Sequence, residues 1–250
     1  MAGTNPLHQF ELQRLAEFQV GGVDLSFTNS SLFMLIAVAL CGILYMLALG
    51  RAQVVPGRAQ LLAEKFHDTI AGMVGQMAGD KSRAYFPFIF CMFLFIMACN
   101  LLGVLPHGFT VTSHFIINIA LALAVFVMVI VTGFVRHGAH FLSLFVPSGT
   151  PWWLLPIIFV LEFVSFCVRP ITLTIRLFAN MLAGGILLKS FAGLAGAFAM
   201  GGALTMAVGA VPFFALTVGL FGLKVFVAGL QAYIFCVLTA VYLHDALEMH

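Results

Sequence analysis

Charge is what this sequence has least of. Among 250 residues there are eleven Lys or Arg and nine Asp or Glu, 8 % in all, against roughly 25 % in an ordinary soluble domain. So few ionic side chains cannot cover a water-exposed surface, which excludes a soluble fold. Basic clusters are absent outside loops, so there is no electrostatic footprint for nucleic acid. The five cysteines, Cys41, Cys91, Cys99, Cys167 and Cys236, form no Cys-x-x-Cys pair. Each lies in an apolar run and reads as a small buried apolar residue, not as part of a disulfide framework or zinc site. No Walker loop, HExxH or GxSxG motif occurs, so neither a catalytic site nor a cofactor is expected of the chain itself. No internal repeat is visible. The first 24 residues carry Glu11, Arg14, Glu17 and Asp24, which is not the pattern of a cleavable leader. Asn29-Ser30-Ser31 fits a glycosylation pattern only formally.

What fills the chain is apolar: 62 % of residues, with a mean hydropathy of +1.12. A span needs about 20 apolar residues, so five or six fit. Residues 1–24 read as an N-terminal segment and 25–50 as the first span. Residues 51–83 hold five Lys or Arg, with Leu62, Phe66, Ile70, Met73 and Met77 at helical spacing. That stretch predicts an amphipathic helix on the membrane surface. Residues 84–135 hold two further spans around a short turn, Pro106 to His114, that carries no Lys or Arg. The positive-inside rule then sets the basic 51–83 segment inward and both the turn and the N-terminus outward. Residues 136–156 are broken by Pro147, Pro151 and Pro156 around Trp152 and Trp153, and read as a turn at the inner interface. Residues 157–250 predict two long helices joined by a Gly- and Ala-rich tract.

The second half holds the charges that an apolar helix should exclude. Glu162, Arg169 and Arg176 are spaced seven and seven, so all three share one helix face. Thr172 and Asn180 fall near Arg176 on that face. Lys224 and Gln231 are also seven apart, giving the last helix a polar stripe of its own. Such stripes must meet water, another helix or a partner. A structural reading pairs Glu162 with Arg169 and lets Arg169 reach the inner headgroups. Arg176 has no acid within reach on its own helix, and asks for a carboxylate from another chain. His107, His114, His137 and His140 sit at interfaces, not at matched depth, which disfavours a bis-histidine haem; metal ligation is not expected.

The run Arg169 to Gly185, RPITLTIRLFANMLAGG, resembles the signature of the a subunits of F-type ATP synthases. So do Leu230 to Leu243, LQAYIFCVLTAVYL, Asn100 to His114, NLLGVLPHGFTVTSH, and Pro151 to Ser165, PWWLLPIIFVLEFVS. The likeness runs from about Ala84 to the end, in the style of alphaproteobacterial and mitochondrial members. It implies an all-α integral membrane protein with N-terminal spanning helices, a surface amphipathic helix and two long tilted C-terminal helices packed as a hairpin.

The resemblance further implies a stator subunit with two proton half-channels. Its partners would be a ring of c subunits bearing an essential carboxylate, peripheral-stalk b subunits, the lipid bilayer and, indirectly, the catalytic sector; nucleic acid is not among them. Arg176 matches the family's essential arginine, Asn180 the asparagine one turn on, Glu162 the inner-channel acid and Gln231 the glutamine facing the arginine. His114, Thr172, Arg169 and Lys224 are auxiliary proton-path candidates. Lys224 and Gly185 depart from the pattern, since other members often carry a Glu and His pair there. Lys224 would either face the outward half-channel or carry its amine to the headgroups. The implied location is a bacterial inner membrane, with a mitochondrial inner membrane as the alternative. A secondary transporter built on broken helices is a second reading, but it should show repeated halves. A purely structural membrane subunit is a third.

Overall fold

In a computed structural model of the chain, the described residues are 13–16, 19–20, 23–24, 26–50, 57–105, 108–138, 140–141, 153–202 and 205–247. The predicted turn at 136–156 is therefore described only at its edges, and Pro147, Pro151, Trp152 and His107 lie outside the described residues. Six α-helices account for most of the rest: α1 (Asn29–Leu49), α2 (Arg58–Ala78), α3 (Phe86–Leu102), α4 (Phe115–His137), α5 (Leu155–Ala199) and α6 (Val211–Leu247). Ahead of α1, Arg14–Ala16 pairs antiparallel with Phe27–Thr28, and Gln19–Val20 with Val23–Asp24. Among the described residues, five segments are long and apolar enough to cross a membrane: Asn29–Ala48, Ser82–Leu102, Phe115–His137, Leu155–Ala199 and Met206–Leu247. The protein is an all-α integral membrane protein, and exposures of 77–80 % at Met46, Ile116 and Val135 are what helices facing lipid or partners show.

Local chemistry sets the helix ends. The Thr28 hydroxyl takes the Ser31 N–H at 3.5 Å, capping α1. Gly79, at φ +68°, ends α2 in a conformation that favours glycine. After α3 the chain turns tightly, and a Cβ on Gly103 would stand 2.8 Å from the Thr110 side chain. Pro170 sits inside α5 and removes one ladder donor; the Thr174 hydroxyl returns to the Pro170 carbonyl at 2.8 Å.

The chain forms two compact units. The first comprises Met1–Gly42, Phe95–His114 and Leu177–Ala232. Its core includes Val104, Met181 and Ala228. Here the second half of α5 and the first part of α6 run antiparallel as a hairpin, with Phe213 stacked on Phe198 at 5.5 Å and on Phe191 at 5.9 Å. Gly202, at φ +107°, and a π-helical turn, Met206–Ala210, lead into α6. The second unit comprises Ile43–Leu94, Phe115–Arg176 and Tyr233–His250. Ile70, Met73 and Val74 of α2 are buried in it. The Tyr45 hydroxyl donates to the Ala63 carbonyl at 3.4 Å, and Phe66 meets Phe93 at 6.1 Å. Phe166 lies between Phe126 and Phe141.

Candidate functional site

In the first unit, Asn180 on α5 and Gln231 on α6 meet. The Asn180 amide donates to the Gln231 carbonyl oxygen at 3.0 Å. Gln231 is 3 % exposed, so this bond satisfies a polar group that would otherwise be costly inside an apolar hairpin. Four residues along α5, Gly184 faces the Lys224 stem: a Cβ there would stand in ordinary contact, 3.8 Å from Lys224 Cγ. Lys224 is 9 % exposed, and its Nζ donates to the Gly103 carbonyl at 3.4 Å. A nearby network joins Thr112, whose hydroxyl donates to Asn100 Oδ1 at 2.7 Å, to Asn100, whose amide donates to the Ala228 carbonyl at 3.2 Å. His114 stacks on Phe109 at 5.0 Å. Its Nε2 is sealed from solvent and has no hydrogen-bond partner among the described residues. Burial lowers its pKa from the ordinary imidazole value.

In the second unit, Arg169 on α5 reaches α6. Its guanidinium donates to Asp245 at 2.8 Å and lies 4.9 Å from the centre of the Tyr242 ring and 5.7 Å from that of Phe166. The structural reading that would pair Arg169 with Glu162 is replaced: the partner is Asp245. Seven residues of helix separate Glu162 and Arg169 by about 10 Å, whereas Asp245 is presented from across the packing face. The Thr172 hydroxyl is returned to its own helix, donating to the Arg169 carbonyl at 2.9 Å. Glu162 and Arg176 are both exposed. Among the described residues no carboxylate pairs with Arg176, whose neighbours Ile171 and Ile175 are also exposed.

Sequence reasoning passed over Asp245, which it assigned to a polar tail, although α6 runs on to Leu247. The signal was in the spacing: Lys224, Gln231 and Asp245 are separated by seven and fourteen residues, one continuous stripe. It also passed over Asn100 as a site. There the signal was a single amide in an otherwise apolar span.

The sequence profile of the ATP synthase A chain family matches residues 31–244. Three curated relatives are each named ATP synthase subunit a. The protein of Chelativorans sp. (strain BNC1) is 49 % identical over 248 residues, 98 % of each chain. That of Parvibaculum lavamentivorans is 48 % identical over 244 residues, 98 % of this chain and 94 % of the relative. That of Rhizobium etli (strain CIAT 652) is 49 % identical over 245 residues, covering 98 % and 97 %. A family match over residues 31–244, with relatives 48–49 % identical over nearly the whole chain, makes this protein a member of the ATP synthase A chain family.

Proposed function

We propose that this chain is the stator membrane subunit of a proton-translocating F-type ATP synthase, forming two proton half-channels against a ring of c subunits. The observation that carries the reading, beside family membership, is Arg176. It is an exposed guanidinium on an apolar helix with no carboxylate paired to it among the described residues. A cation in that setting calls for an anion from outside the chain, and a carboxylate on a passing ring supplies one. At a separation of about 4 Å and an effective dielectric near 20, the two charges attract by about 4 kcal/mol. That holds the carboxylate ionised until it moves on. Arginine does not deprotonate in proteins, so it cannot pass protons and blocks a short circuit between the half-channels.

In this reading Asn180, one turn beyond the arginine on α5, and Gln231, to which it is bonded, offer amide groups to water or to the ring. Glu162 lines the inward half-channel. His114 and Lys224 belong to the outward side, and Thr172 and Arg169 to the inward approach. The basic 51–83 segment faces the cytoplasm of a bacterial inner membrane, the N-terminus faces outward and the C-terminus inward. Peripheral-stalk b subunits hold the chain still while the ring turns, coupling it to the catalytic sector. The reading is tested with Arg176→Ala in inverted vesicles. The assembled complex should persist, while ATP-driven acidification disappears. Acidification at the wild-type rate would overturn the assignment.

A further inference from the structure

Arg176 stands six residues beyond Pro170, which supplies no N–H to the ladder of α5. A helix can bend where a ladder bond is missing, so other contacts must set the angle at this turn. The angle matters for the guanidinium. Six residues of helix span about 9 Å, so a bend altered by about 10° would move the Arg176 backbone by about 1.5 Å. A misplacement of about 1 Å can slow a reaction that depends on position by about a hundredfold.

The contact behind Arg176 is made by Thr174. Two residues apart, their side chains point about 200° from each other around the helix. Arg176 is exposed, whereas Thr174 is 2 % exposed and its neighbour Leu173 is also buried. The Thr174 hydroxyl faces two acceptors, the Pro170 carbonyl at 2.8 Å and the Asn118 carbonyl of α4 at 3.4 Å. One hydroxyl proton can serve two acceptors in this way. The first bond runs back four residues on α5, and such bonds bend helices. The second joins α5 to a different helix. Thr217 and Thr239 on α6 make the same backward bond, to Phe213 and Phe235 at 2.8 and 2.9 Å. Thr174 differs by its added acceptor across the packing face. Asn118, Pro170, Thr174 and Arg176 all lie in the second unit.

We propose that Thr174 is a positioning residue for Arg176. By tying the turn after Pro170 to α4, it fixes how far the guanidinium stands toward a passing carboxylate. The inference rests on the role proposed above for Arg176. Thr174 itself handles no proton and acts through the two residues of backbone between them.

The test measures ATP-driven acidification per assembled complex in inverted vesicles. Thr174→Val keeps the shape and deletes the hydroxyl proton. It should assemble and pump about ten- to a hundredfold more slowly. Thr174→Ser keeps the hydroxyl and should stay near the wild-type rate. Thr239→Val makes the same change at a hydroxyl that is equally buried, 1 % exposed. It should also stay near wild type, which separates positioning from the general cost of losing a buried hydroxyl. Added to Pro170→Ala, which restores the ladder donor, Thr174→Val should cost less than it does alone, because both act on one bend. Losses that simply multiply would overturn the proposal. Wild-type pumping by Thr174→Val, or equal losses in the Val and Ser variants, overturns it too. Where Thr174→Val does not assemble, Thr174→Ala is read in the same way, and failure of both makes Thr174 a packing residue and overturns the proposal. Arg176→Ala in the same vesicles keeps the two readings apart. If it abolishes pumping while Thr174→Val does not slow it, only the positioning role falls. If it pumps normally, the proposed function falls and the positioning role with it.

Discussion

Two arginines on one helix, two turns apart, live in opposite circumstances. Arg169 is held by Asp245 at 2.8 Å and lies over two aromatic rings. Arg176 is exposed among exposed isoleucines with no paired carboxylate among the described residues. They share a helix face by spacing, so periodicity alone treats them alike. What separates them is the second helix, which delivers an acid to one and not to the other. A buried cation that is already paired fixes helix packing, because breaking the pair strands a charge. A cation left without an internal acid is available to something that comes and goes. Under the proposed function, the comparison divides one polar stripe into an anchoring end and a working end.

The sharpest way to break this division is to keep the charge at Arg176 and change its form. Arg176→Lys retains a cation but loses the planar fork and gains a proton that it can give up. ATP-driven proton pumping should fall by at least about a hundredfold, the scale seen when one preorganised electrostatic group is removed from a reaction path. Arg169→Lys should retain most pumping, since an ammonium can still pair with Asp245. If both conservative variants pump alike, the two arginines do not differ in role.

The anchoring end predicts a stability effect. Asp245→Asn leaves Arg169 without its counter-charge. The pair's side chains are 26 % and 37 % exposed, between the limits of exposed pairs, which contribute little, and buried ones, whose rupture costs several kcal/mol. The expected loss is roughly 1–2 kcal/mol, read as a lower temperature at which the purified complex loses pumping. The double variant Arg169→Met, Asp245→Leu should recover most of it, because no charge is then stranded. A double variant as weak as the single one would show that the aromatic contacts of Arg169, not its ion pair, hold the helices.

Much of this architecture was legible in the sequence, for a simple reason. Apolar runs of about 20 residues have one use in a chain so poor in charge, and the polar positions of α5 and α6 repeat every seven residues. What was not legible is which polar group meets which. The Asn180–Gln231 bond depends on the register between two helices, and no single-helix pattern encodes that. Asp245 was hidden because a polar ending looks like a frayed terminus, although its place in the Lys224–Gln231 stripe was visible. The meeting of Lys189 and Lys224 was hidden for the opposite reason: the residues are 35 apart and on different helices, yet line one cavity.

Glu162 offers a finer test at the far end of the stripe. It is exposed and two turns from Arg169 on the side away from Arg176. If it lines the inward half-channel, Glu162→Gln should slow pumping severalfold without abolishing it, since water can partly replace a relay group. A Cys at position 162 should react with a membrane-impermeant thiol reagent added on the cytoplasmic side. Reaction only from the outer side would reverse the orientation assigned to the chain.

The smallest effect is expected at His114, where the group at issue is a histidine and not an arginine. Its Nε2 is sealed off without a hydrogen-bond partner among the described residues, and burial lowers its pKa. Above the ordinary imidazole value of about 6.5 the ring is neutral whether the turn is folded or not, and it has no effect on the pH dependence of stability. As pH falls through that value, the unfolded chain takes up the proton first, so the folded state loses stability until the pH passes the lowered folded value. The thermal midpoint of the complex should therefore decline as the pH falls below about 6.5, by an amount partly due to this residue. His114→Gln cannot be protonated there. It should start slightly less stable, because the stack on Phe109 is lost, yet decline less steeply with acid. The difference in slope is the signature, since a merely structural role would lower the curve without flattening it. Parallel curves for the two proteins would remove His114 from any acid-sensitive part of the molecule.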